Sequence, residues 1–204
     1  AAFAQAIRRS AQGVLGDAAG FAPDLDQCKL PAEARFLGWK RAMRGDFREA
    51  ARAELRAVNL ARRQKAWRVF GSAVDAAVTA LIPCGLRGRA EMVIAAGLSI
   101  ASRMGRLRSM HSILGAQANL SAAAGEVGRG LGALHEYDEI STLMNVTADV
   151  RERSRGLRAL LLRFGGRTGE ALTSLGDEDG RGNHILQTWS CYPRCLSLLD
   201  LGRW

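Results

Sequence analysis

Apolar and small residues along this chain recur with a helical period, and the recurrence is broken by glycines at regular intervals. From residue 31, Pro31 opens a helix carrying Phe36, Leu37, Trp39 and Met43. Gly45-Asp46 interrupts it. Phe47–Arg63 then predicts a second helix, with Ala50, Leu55, Val58 and Leu60 along its apolar side. Glycines at 45, 85, 125 and 165 stand forty residues apart, each where one helical pattern stops and another starts, as a glycine closing a helix does. Aligned on them, Ala50, Ala90 and Gly130 share one column, Leu60, Ile100 and Ile140 a second, and Ala61, Ala101 and Ser141 a third. Leu37, Ala50, Leu60, Ile100 and Ile140 are the expected core positions. The small residues Ala50, Ala57, Gly97 and Gly130 fall where paired helices would approach closely.

Each forty-residue unit therefore reads as two antiparallel helices. Such a pair cannot bury both of its faces alone, so neighbouring units must stack. The first unit carries a more specific pattern. Leu37-Gly38, Gly45-Asp46-Phe47, Glu49-Ala50, Ala57 and Leu60 resemble the tetratricopeptide (TPR) family, in its longer forty-residue variety. The resemblance spans about 31–164 and weakens along the chain. The Leu-Gly pair becomes Ala77-Val78 and then Gln117-Ala118, and the turn becomes Gly85-Leu86 and then Gly125-Glu126. It implies an all-α fold: a right-handed solenoid of stacked antiparallel helix pairs, about three to four degenerate repeats. It also implies that the first helix of each unit lines a groove for other proteins. Carried over by position, that groove presents Arg35, Trp39 and Met43, then Asp75 and Thr79, then Ser112 and Asn119, then Glu152, Arg155 and Arg163. Arg35 and Trp39 stand where a chaperone-tail carboxylate clamp would want Lys and Asn, so no chaperone-tail role is expected.

The domain reading is an irregular arm over 1–30, TPR-like repeats over 31–164, and a divergent repeat and tail over 165–204. Residues 1–16 hold Arg8, Arg9 and Ser10 among alanines, with no acid before Asp17, which has the character of an organellar transit peptide. A mitochondrial location is the expectation, with a plastid or the cytoplasm as alternatives.

Charge changes the picture. The chain of 204 residues has a formal net charge of +9. Its basic residues are nearly all arginine, the side chain that grips phosphate and carboxylate bidentately. The whole excess lies in residues 35–108, while the flanking segments are close to neutral. An uneven charge of this kind points to an acidic partner surface, whether RNA, anionic lipid or protein, although a solvated arginine face reads equally well. Arg48, Arg52 and Arg56, four residues apart, would share one face of the second helix as an anion rail.

Little in the chain points to chemistry. The sequence has no P-loop, zinc-protease or nucleophile-elbow motif. The glycines at 125, 128, 130 and 132 have no strand before them, and close helix packing explains them better. Cys28, Cys84, Cys191 and Cys195 are too scattered for a disulfide scaffold or a zinc site, though a Cys191–Cys195 redox pair stays open. Asp177-Glu178-Asp179 lacks the spacing of a calcium loop. His111, His135 and His184 have no nucleophile at motif spacing. No cofactor, metal or catalytic residue is expected, and no run is long enough to cross a membrane. The expected role is a scaffold or accessory subunit contacting other protein subunits of a larger assembly. The alternative is a helical-repeat protein on RNA, for example of an organellar ribosome.

Overall fold

A computed structural model of the chain describes residues 25–175, together with 197, 200 and 201. The fold is all-α. A short 3-10 turn, Leu25–Gln27, leads into α1 (Pro31–Ala42), α2 (Phe47–Arg63), α3 (Trp67–Leu81) and α4 (Arg87–Arg103). α5 (Leu107–Ala123), α6 (Val127–Leu143), α7 (Ala148–Phe164) and α8 (Thr168–Leu175) follow, with no strand among the described residues. The residues expected in the arm before 25, and most of those in the tail after 175, lie outside the described residues. So do Cys191, Cys195, His184 and Asp177-Glu178-Asp179.

The helix starts and stops have local causes. Pro31 occupies the first position of α1, where its missing N–H costs nothing. The Glu33 carboxylate accepts the backbone N–H groups of Lys29 (2.9 Å) and Leu30 (3.0 Å), two donors with no helical partner. Every turn between successive helices closes in the same way. Its left-handed residue is Gly45, Lys65, Gly85, Gly105, Gly125, Asn145 or Gly166. At the first turn the Gly45 N–H reaches the Ala42 carbonyl and the Asp46 N–H reaches that of Arg41, and the other six repeat this pair of bonds. The backbone thus turns about every twenty residues, half the interval visible in the four glycines. The last turn differs from the sequence expectation: Gly165 caps α7 with a φ of −82°, and Gly166 takes the left-handed conformation at +73°.

Consecutive helices pack against one another along the chain, and α1 also meets α3, α3 meets α5, and α5 meets α7. Small side chains make these approaches close. Ala50, Ala53, Ala57 and Ala61 line the inner side of α2 with no exposed surface. Gly71 lies so near α5 that a Cβ there would sit 2.5 Å from the Ser109 Cα, and a Cβ on Gly130 would sit 2.3 Å from Leu161 Cδ2. Of the expected core positions, Leu37, Ala50 and Ile140 are buried, while Leu60 and Ile100 pack half-buried against the core.

Candidate functional site

The alternate helices α1, α3, α5 and α7, which contact one another in order, carry a set of polar side chains that link one helix to the next. Arg35 of α1 donates through Nε to Glu54 of α2 (3.3 Å) and through Nη1 to Ser72 Oγ of α3 (2.7 Å). Glu54 is buried, and the bare Cα of Gly38 makes its space: a Cβ there would lie 2.7 Å from the Glu54 carboxylate. Burial pushes the Glu54 carboxyl up to about 7; the Arg35 guanidinium pulls it down and the Asp75 charge adds to the rise.

Asp75 of α3 is held from α7. Both Nη atoms of Arg153 donate to its two oxygens, at 2.9 and 2.8 Å. Gly115 of α5 lies beside that guanidinium, and a Cβ on Gly115 would sit 3.4 Å from Arg153 Cζ. Next to this pair the His111 ring stacks on Tyr137, with centroids 3.8 Å apart, and His111 Nε2 lies 2.7 Å from Ser141 Oγ. The Ser141 hydroxyl also lies 2.8 Å from the Tyr137 carbonyl, to which it can donate, and the direction of the His111–Ser141 hydrogen bond follows the imidazole tautomer. Burial, then the Arg153 charge, hold His111 down at about 4, with Arg108 adding to the fall and Asp138 and Asp75 opposing it.

A cleft of about 410 Å3 opens along this row of helices, between the starts of α3 and α5 and the α6–α7 turn. Arg68 and Arg108 stand on one wall with Ser72 and Ser112; Met144 and Val150 form the other. The nearby carboxylates already have partners: Asp75 has Arg153, and Asp138 accepts from Arg158 (2.7 Å) and Ser154 (2.6 Å). Arg68 and Arg108 are exposed and make no ion pair among the described residues. The cleft therefore has one cationic wall and one apolar wall.

Of the residues singled out in the sequence, Arg35 and Asp75 lie within this polar set. Trp39 is half exposed on α1, with its ring 6.0 Å from Phe36. Asn119 is half-buried in α5 and makes no hydrogen bond among the described residues. Arg155 is exposed and pairs with Glu152 within α7 at 3.5 Å. The three arginines of α2 have three different environments. Arg48 is exposed and without a partner among the described residues, and Arg52 pairs with Glu49 at 2.6 Å. Arg56 turns to the Asp26 and Cys28 carbonyls at 3.5 and 3.4 Å, tying the segment before α1 to α2. Sequence reasoning passed over Glu54, Arg153 and the His111–Tyr137 stack. Among the described residues no three His, Cys, Asp or Glu side chains converge as a metal set, and no helix is long and apolar enough to cross a membrane. No protein-family model matches the chain, and no curated protein matches it in sequence.

Proposed function

We propose that the chain is a non-enzymatic helical-repeat scaffold, an accessory subunit that holds other protein subunits in a larger assembly. The eight described helices form four TPR-like pairs in a right-handed solenoid, with α1, α3, α5 and α7 lining its concave side. The observation that carries this reading is the contact order. First helices meet first helices in sequence, as in a one-dimensional array where each unit buries its face on the next. The cleft on that row, cationic on one side and apolar on the other, suits an acidic protein segment. The alanine- and arginine-bearing composition of residues 1–16 supports an organellar assembly, mitochondrial first.

Purification of the native assembly tests the proposal. A fixed protein neighbour that stays bound after RNase treatment is expected. A chain that purifies alone, or a neighbour lost with RNase, contradicts it.

One observation favours a second reading, contact with RNA. Arg48, Arg62, Arg63 and Arg89, all in the basic segment, are exposed and without an ion pair among the described residues. Replacing Arg48, Arg62 and Arg63, exposed and unpaired among the described residues, by Gln separates the two. If each touches a phosphate, binding to RNA weakens and its dependence on log salt falls by up to about three units of slope. If the partner is an acidic protein, association weakens with no RNase sensitivity.

A further inference from the structure

The second helices of the pairs meet in two different ways. Between α4 and α6 a ring of four alternating charges closes the junction. Arg87 donates to Glu91 (3.0 Å) and to Glu126, and Arg129 donates to Glu91 (3.3 Å) and Glu126 (3.2 Å). Forty residues earlier the same register positions hold Phe47, Ala51, Leu86 and Arg89. The junction between α2 and α4 therefore has no charge ring at this level. Phe47 and Leu86 stay partly exposed instead, and Met92 is 66% exposed.

Beside them, between α2 and α4, lies an apolar slot of about 300 Å3. Phe70 and Val74 of α3 form its floor, with Gly97 adding no side chain. Val58, Val93 and Ile100 wall it, and Arg62 and Arg89 stand at its edges. Neither arginine has a carboxylate partner among the described residues. This site is on the second helices, apart from the row that carries the proposed scaffold role.

We infer that the slot docks an amphipathic α-helix of a partner protein, one with carboxylates flanking its apolar stripe. A helix presenting apolar side chains at i, i+3 or i+4, and i+7 can seat them in a groove between two helices, while its flanking acids meet Arg62 and Arg89. A second copy of the chain is a poor occupant, because this face already carries Arg48, Arg52, Arg62 and Arg89 on a chain of net charge +9. A lipid surface would also meet the exposed Phe47 and Met92, so anionic vesicles form a separate arm of the test.

The test uses the full chain and two labelled synthetic peptides of about 20 residues. Both carry the same leucine stripe; one is edged with glutamate, the other with lysine. Fluorescence anisotropy follows binding, with phosphatidylserine vesicles as a separate arm. Met92 and Ala96 are exposed, so Met92→Glu and Ala96→Trp obstruct the slot without entering the core. The Glu-edged peptide is expected to bind at least about tenfold more tightly than the Lys-edged one, and each variant to weaken it by a similar factor. Arg62→Glu with Arg89→Glu should transfer the preference to the Lys-edged peptide. Equal binding of the two peptides, binding indifferent to Met92→Glu and Ala96→Trp, no binding of either, or capture of vesicles alone overturns the inference. None of these results bears on the first-helix face.

Discussion

Arg153 of α7 reaches Asp75 of α3 in a two-pronged ion pair, across seventy-eight positions of sequence and past the bare Cα of Gly115 on α5. The pair joins α3 to α7 across α5. Both side chains are about four-fifths buried, so each charge depends on the other for compensation.

Losing one partner should therefore cost more than losing both. Asp75→Asn and Arg153→Met, made singly and together, should give a coupling energy of about 1–3 kcal/mol in urea unfolding. Gly115→Leu should destabilise by crowding both the buried Tyr137 ring and the Arg153 guanidinium, whose nearest atoms lie 3.2 and 3.4 Å from a Cβ there, so Arg153→Met should relieve only part of its cost. Additive single and double variants would mean that the pair contributes nothing.

Acidity acts on two buried groups in opposite directions. Between about 4.5 and 7 the folded chain keeps a proton on Glu54 that the unfolded chain has released, so this group makes stability fall as pH rises. Between about 6.5 and 4 the unfolded chain takes up a proton that folded His111 refuses, so that group makes stability fall as pH falls. Over their shared window the slopes offset. Glu54→Gln should leave stability rising with pH up to about 6.5, and His111→Asn should leave it falling up to about 7. Urea midpoints at a series of pH values check both signs.

Three glycines of α6 should respond differently to alanine. Gly130 packs on Leu161, and a Cβ there meets it at 2.3 Å, so Gly130→Ala should destabilise by about 1–3 kcal/mol. Gly128 and Gly132 face open space, where alanine favours the helix by about 0.5–1 kcal/mol each. Thermal melting of the three variants reads the contrast directly. Ala50→Trp, at a fully buried position, should behave like Gly130→Ala.

The non-glycine turn residues offer a gain. Lys65 and Asn145 hold left-handed backbones at φ +53° and +47°. A left-handed side-chain residue costs roughly 1–2 kcal/mol, partly offset by the extra freedom of glycine in the unfolded chain. Lys65→Gly should raise the melting temperature, and Gly45→Ala should lower it.

These turns also mark how far the sequence could be read. The limits of α2 at Phe47 and Arg63 follow from an apolar stripe and a Gly-Asp turn, and both were legible. The half-interval was hidden because Lys65 and Asn145 do the work of glycine at two of the turns, and spacing alone could not tell Gly165 from Gly166. The polar set was harder to see. Arg35 and Asp75 stand out as charges on otherwise apolar helix faces. Glu54 reads as an ordinary surface glutamate until Gly38 is seen to make room for it. Arg153 is one of four arginines between 151 and 158, and only the packing of α7 selects it. The α2–α4 slot shows up in the sequence only when Phe47 and Leu86 are set beside Arg87 and Glu126.

The first-helix face is tested most directly by photo-crosslinking in the native assembly. The crosslinker is placed at Trp39 on α1, Thr79 on α3 and Ser112 on α5, with exposed Glu136 on α6 as the comparison site. The scaffold reading predicts that all three first-helix positions capture one protein neighbour, that RNase leaves the products unchanged, and that Glu136 does not capture it. Crosslinks to RNA from Trp39, Thr79 and Ser112, or capture of the neighbour from Glu136 alone, would contradict it.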